Sequence, residues 1–169
     1  MTVSTENRNE PLKKLRDLVK DINYCMLTSV DDDGTLHSRP MANNREIEDN
    51  GDLWFFTKAS SHKVDEINHD QHVNVSFAAP DKQTYVSLSG KAILVRDRAQ
   101  IEALWKPDLK AWFPEETDDP DIALIKVSVE KAEYWDAPSG FVAKAIGFVK
   151  AATTGQSAGS GENEKLDLK

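Results

Sequence analysis

The chain has 169 residues, of which 39% are hydrophobic, enough for one core plus a tail. Its 29 acidic and 21 basic side chains leave a formal net charge of −8, which argues against binding nucleic acid or an anionic membrane through bulk charge. One cysteine excludes an internal disulfide, and no apolar run approaches the roughly 20 residues that span a bilayer. Residues 1–14 lack the apolar core of a signal peptide, so the expected location is the cytoplasm.

Residues 1–9 are polar and are expected to be a flexible N-terminus. Pro11 suits the first turn of a helix, and Leu12, Leu15, Leu18, Val19 and Ile22 follow at helical spacing. The apolar run from Tyr24 to Val30 predicts a central strand, and Asp31-Asp32-Asp33-Gly34 predicts a hairpin into Leu36–Met41. Asp49-Asn50-Gly51-Asp52 gives a second hairpin signal before the apolar strand Leu53–Thr57. Residues 61–68 predict a short helix with Ser60 or Ser61 as its N-cap. His72–Phe77 and Tyr85–Val95 alternate as half-buried strands, and Gly90 interrupts the second, which predicts a bulge.

Asp97 predicts the cap of a further helix, and Pro107–Phe113 a second short one. Residues 115–121 read as an acidic loop. Ile122–Val129 and Lys131–Trp135 predict the last two strands. Pro138-Ser139-Gly140 breaks the chain before a terminal helix over 141–152, and residues 153–169 have the composition of a disordered tail. The domain proper is therefore expected over residues 10–152. Short antiparallel strands joined by tight turns and flanked by helices predict an α+β fold around a β-barrel.

The candidate chemistry starts at Thr57-Lys58-Ala59-Ser60-Ser61-His62-Lys63, between a strand and a helix. A lysine in a first helical turn opposes the helix dipole unless an anion docks there. Arg39, inside a predicted strand, adds a second cation, so the pair suggests a phosphorylated ligand. Solvated surface cations beside an ordinary N-cap remain the plainer reading. Trp135 either covers a planar ligand or caps the core, and pattern favours the core. Trp105, Trp112 and Phe113 wall a pocket, fill an interface or simply pack. His69 and His72 have ligand-like spacing but straddle a helix–strand junction, so no metal site is expected. Cys25 reads as a small core residue.

Taken in order, the strand ending in Thr28, Ser38-Arg39-Pro40-Met41, Leu53-Trp54-Phe55-Phe56-Thr57, Ser61-His62-Lys63 and Glu133-Tyr134-Trp135-Asp136 resemble one family. It is the general stress protein branch of the pyridoxamine 5′-phosphate oxidase-like FMN-binding split-barrel superfamily. The resemblance covers residues 10–138. It implies a six-stranded antiparallel split barrel that forms a homodimer with FMN at the interface. It also implies that Arg39, Ser61, His62 and Lys63 hold the FMN phosphate. Ser38, Pro40, Met41, Asn43 and Asn44 would run along the flavin, with Phe56 and Thr57 near its ring. Trp135 would contact the site, from the other subunit.

The chain departs from the oxidase proper. Residues 136–150 carry only Lys144 and Lys150 as cations, and His62 stands where the oxidase has an arginine. These departures point away from pyridoxamine phosphate oxidation. The expected function is an FMN-dependent oxidoreductase exchanging electrons with a small molecule. The alternatives are a flavin-binding stress or sensor protein without turnover, or a split barrel that takes haem or a deazaflavin coenzyme.

Overall fold

The computed structural model describes residues 5–44, 46–137 and 162–169, with side chains from residue 9 onward. In chain order these form α1 (Thr5–Val19), β1 (Tyr24–Val30), β2 (Leu36–Ala42), β3 (Asp52–Lys58), α2 (His62–His69), β4 (His72–Ala79) and β5 (Thr84–Val95). They continue with α3 (Arg98–Leu104), β6 (Ile122–Asp136) and β7 (Glu162–Asp167). Every strand pairing is antiparallel, in the order β2-β1-β4-β5-β6-β3, with β7 added on β6. The sheet curls until β2 and β3, at its two ends, approach each other. No hydrogen-bonded pairing joins those two strands among the described residues. The α+β split barrel expected from the sequence is the fold observed, and the β2/β3 seam is its split.

Alternation along the strands builds one core. Leu27, Phe55, Val75, Phe77, Leu88, Ile125 and Val127 all point into it and are buried. Leu12, Leu15 and Val19 add the apolar face of α1, and Ile67 adds that of α2. Between Ser89 and Gly90 the β5–β6 register shifts, which is the predicted bulge. A Cβ on Gly90 would lie 2.1 Å from the Ser128 carbonyl oxygen, so the two backbones can approach only because the residue is glycine.

Helix α2 is tied to the sheet by a buried carboxylate. The Glu66 side chain is fully buried. Its Oε2 accepts from Ser29 Oγ on β1 and from the Arg39 guanidinium on β2. His37 Nδ1, also on β2, lies 3.0 Å from its Oε1. Burial alone would push this carboxyl up. The Ser29 and His37 hydrogen bonds and the Arg39 charge outweigh it and hold the group below the usual carboxylate range.

Four expectations need correction. Helix α1 begins at Thr5, with Pro11 inside it rather than in its first turn, so residues 5–9 are not a loose end. Once the buried turns exist, adding residues to the helix gains a bond each and needs no new nucleus. The turn at Asp49–Asp52 forms, with Gly51 at φ +89°, but no strand precedes it among the described residues. The two predicted final strands are one continuous β6. Lastly, Glu162–Asp167 is a strand, not disordered tail. β3 covers only Ile122–Ser128 on its edge of β6, leaving Lys131–Asp136 of that edge open, and β7 pairs there. Its polar side chains are satisfied locally: Tyr134 Oη lies 2.8 Å from both Glu162 Oε1 and Glu164 Oε2. Leu168, just after it, is buried in the core. The predicted helix over 141–152 and the start of the tail lie outside the described residues.

Two stability predictions follow from this packing. Gly90→Ala should lower the unfolding free energy by about 2 kcal/mol or more, because backbone must move to admit the methyl group. Glu66→Ala should lower it by about 3 kcal/mol or more, because Arg39 loses the carboxylate it is buried against. Urea denaturation monitored by tryptophan fluorescence measures both, and a loss below about 1 kcal/mol at either position would contradict the corresponding packing argument.

Candidate functional site

Among the described residues β2 pairs only with β1 and β3 only with β6, so the seam exposes one edge of each. A pocket of about 530 Å³ opens there. Arg39, Thr57, Ser61 and Lys63 form its polar end. Pro40, Met41 and Phe56, with Leu109, Trp112 and Phe113 from the segment after α3, form an apolar wall. Seven of the residues that the resemblance assigned to the flavin site therefore meet in one cavity: Arg39, Pro40, Met41, Phe56, Thr57, Ser61 and Lys63.

The polar end is built where β3 runs into α2. Ser61 is the N-cap of α2, yet its side chain makes no capping bond. Instead Ser61 Oγ lies 3.1 Å from Thr57 Oγ1, the last inward hydroxyl of β3. Lys63 Nζ donates to the same Thr57 Oγ1 at 3.3 Å. No carboxylate forms a salt bridge with Lys63 among the described residues. Burial, then the neighbouring Arg39 charge, hold the Lys63 ammonium below the usual lysine range, with Glu66 opposing them. Three cations and two hydroxyls thus line one pocket; Arg39 pairs with Glu66 and Lys58 with Asp119, and Lys63 alone of the three has no carboxylate in salt-bridge reach among the described residues.

The remaining predicted residues lie elsewhere. Ser38 sits one residue from Arg39, so the pleat turns it to the opposite face, where its Oγ lies 2.6 Å from Thr28 Oγ1. His62 turns away from the pocket; its Nε2 lies 3.3 Å from Glu66 Oε1 and 3.6 Å from Asp31 Oδ1. Asn43 and Asn44 line an adjoining pocket of about 560 Å³ that shares Phe56 and Trp112 with the first. Asn43 Nδ2 donates to Val19 O and Ile22 O and so closes the end of α1. The Asn44 carbonyl accepts from Lys106 Nζ at 2.7 Å.

Trp135 is paired in register with Tyr85 and lines a separate groove with Tyr24, Met26 and Pro40. Tyr24 and Pro40 belong to both the groove and the seam pocket. The aromatic cluster resolves into two roles. Phe56, Trp105 and Phe113 pack edge-to-face at 5.7–6.4 Å, while Trp112 stays exposed on the pocket wall. Cys25 is a buried core thiol, which burial pushes up to about 12. Sequence reasoning missed Leu109 in the wall, an ordinary leucine in a short 3-10 helix. It also missed Glu66 and His37, whose meeting depends on how α2 docks. No helix among the described residues is long and apolar enough to cross a membrane.

Comparison with known proteins agrees with this architecture. The family model described as pyridoxamine 5′-phosphate oxidase like matches residues 10–159. Protein bli-3 of Neurospora crassa is 30% identical over 159 residues, which cover 89% of this chain and 76% of that protein. The crystal structure of the general stress FMN/FAD binding protein from Xanthomonas citri superposes with a TM-score of 0.65 at 29% identity, covering 78% of this chain and 92% of that one. A Clostridium acetobutylicum protein related to general stress protein 26 shares the fold at a TM-score of 0.70 and 18% identity, covering 94% of this chain and 95% of that one. The chain belongs to the pyridoxamine 5′-phosphate oxidase-like family, and it resembles the general stress proteins within it.

Proposed function

We propose that this chain is a homodimeric FMN-binding oxidoreductase acting on a small molecule, with the FMN phosphate held by Arg39, Ser61 and Lys63. The observation that carries the reading is the polar end of the seam pocket. Lys63 is half buried beside Arg39, and burial and that second cation both disfavour its charge. A phosphate between the two would offset the repulsion and the lost hydration together. The uncapped start of α2 adds a favourable dipole for an anion. The apolar wall suits a planar ring system, and about 530 Å³ lies in the ordinary range for cofactor pockets. The Xanthomonas citri relative described as FMN/FAD binding supports a flavin as the occupant.

Bound FMN would supply the electron-accepting ring, and the protein's share is binding, orientation and exclusion of water. Pro40, Met41 and Phe56 would pack on the ring, and Arg39, Ser61 and Lys63 would fix its phosphate tail. Thr57 Oγ1, already bonded to Lys63, would set the position of that ammonium. Among the described residues no histidine lines the pocket, which disfavours haem as the occupant. The groove of Tyr24, Met26, Tyr85 and Trp135 leaves large hydrophobic side chains exposed beside the pocket. This exposed groove supports a homodimer, in which a second copy seated on it would border the flavin site and would give Trp135 access to the cofactor of the partner subunit.

Purified protein should show flavin absorption, or acquire it on adding FMN and keep it through desalting. Lys63→Met should weaken FMN binding by about tenfold or more, the worth of one charge-assisted hydrogen bond. Colourless protein that retains no added FMN would overturn the reading. Unchanged affinity in the lysine variant would overturn the site assignment.

A further inference from the structure

Outside the pocket, four side chains from three segments bring donor atoms together. Glu66 Oε1 lies 3.0 Å from His37 Nδ1 and 3.3 Å from His62 Nε2, and His62 Nε2 lies 3.6 Å from Asp31 Oδ1. Asp31, His37 and Glu66 each offer a donor atom within 4.8 Å of the other two. Donors bound at about 2.0–2.2 Å to a tetrahedral zinc ion lie roughly 3.3–3.6 Å from one another. The Glu66–His62 and His62–Asp31 separations already match, and His37 has to move back from its 3.0 Å contact with Glu66 to admit an ion. His37 and His62 are both more than half exposed, free to adjust by rotation.

Glu66 also has the support expected of a metal ligand. Its second oxygen is held by Ser29 Oγ and the Arg39 guanidinium, which fixes the carboxylate plane and turns Oε1 toward the imidazoles. The remaining histidines are not part of the cluster. His69 Nδ1 lies 3.9 Å from Asp32, and His72 Nδ1 is 2.7 Å from Asp70.

The geometry points to a divalent transition-metal site formed by Asp31, His37, His62 and Glu66, with Zn2+ as the ion that fits. Two imidazoles disfavour Mg2+ and Ca2+, which take oxygen ligands. Asp31 and Glu66, the latter shared with Arg39, offset part of the ion's charge. The site ties the β1–β2 turn and β2 to the start of α2, behind the proposed phosphate cradle. It acts as a clip on the two elements that carry Arg39 and Lys63.

The test is calorimetric titration of Zn2+ into the full-length, tag-free protein without flavin, so its outcome is separate from that of the FMN reading. The expected result is saturable binding of one ion per chain in the micromolar range or tighter. It should weaken by at least about tenfold in both His37→Ala and Asp31→Asn, and stay unchanged in His72→Ala. Both substituted side chains are at least partly exposed, and far-ultraviolet circular dichroism checks that each variant folds. Absence of saturable binding, binding that either His37→Ala or Asp31→Asn leaves intact, or an equal loss in His72→Ala overturns the proposal.

Discussion

The Glu66 carboxylate is the joint on which the candidate site depends. A buried, unpaired carboxylate would be strongly destabilising, so its position is tolerable only where donors meet it. Here Ser29 comes from β1, His37 and Arg39 from β2, and Glu66 itself from α2. The bond network therefore fixes the helix against the first hairpin of the barrel. Arg39 is held at that joint, and Lys63 stands three residues before Glu66 on the same helix. The distance between the two cations is thus a consequence of one buried charge. An anion between them would be faced from elements that cannot drift apart without exposing Glu66.

The split in the barrel supplies the other half of the site. A fully closed barrel would pair β2 with β3 and leave no room between them. Here the two edges stay unpaired among the described residues, and the segment after α3 folds across the opening with Leu109, Trp112 and Phe113. The pocket is accordingly apolar along the wall and cationic where Arg39 of β2 faces the turn from β3 into α2. An acidic chain of net charge −8 needs such a local arrangement to attract an anion, because its overall field works against one.

Much of this was legible in the sequence where local rules decide the outcome. Alternation and Asp-Gly turns gave the first hairpin, and an interrupting glycine in an alternating strand marked the β5 bulge. The Ser-His-Lys at a helix start identified the polar end of the pocket. Other features depend on tertiary context. β7 is a run of charged residues whose strand conformation comes from an open edge on β6, not from its own pattern. The meeting of Asp31, His37, His62 and Glu66 requires α2 to dock on one particular face of the hairpin. Ser38 is a different case: period-two alternation already places it opposite Arg39, and a resemblance carried residue by residue passed over that geometry.

The central claim is that Arg39, Ser61 and Lys63 recognise a phosphate. A fluorescence titration of the flavin-free protein with FMN and with riboflavin tests it most directly, because the two ligands differ only in that group. The account predicts that FMN binds at least about a hundredfold more tightly than riboflavin, in line with two charge-assisted contacts. Equal affinity for the two would show that the ring alone is recognised, and would contradict the cradle at the start of α2.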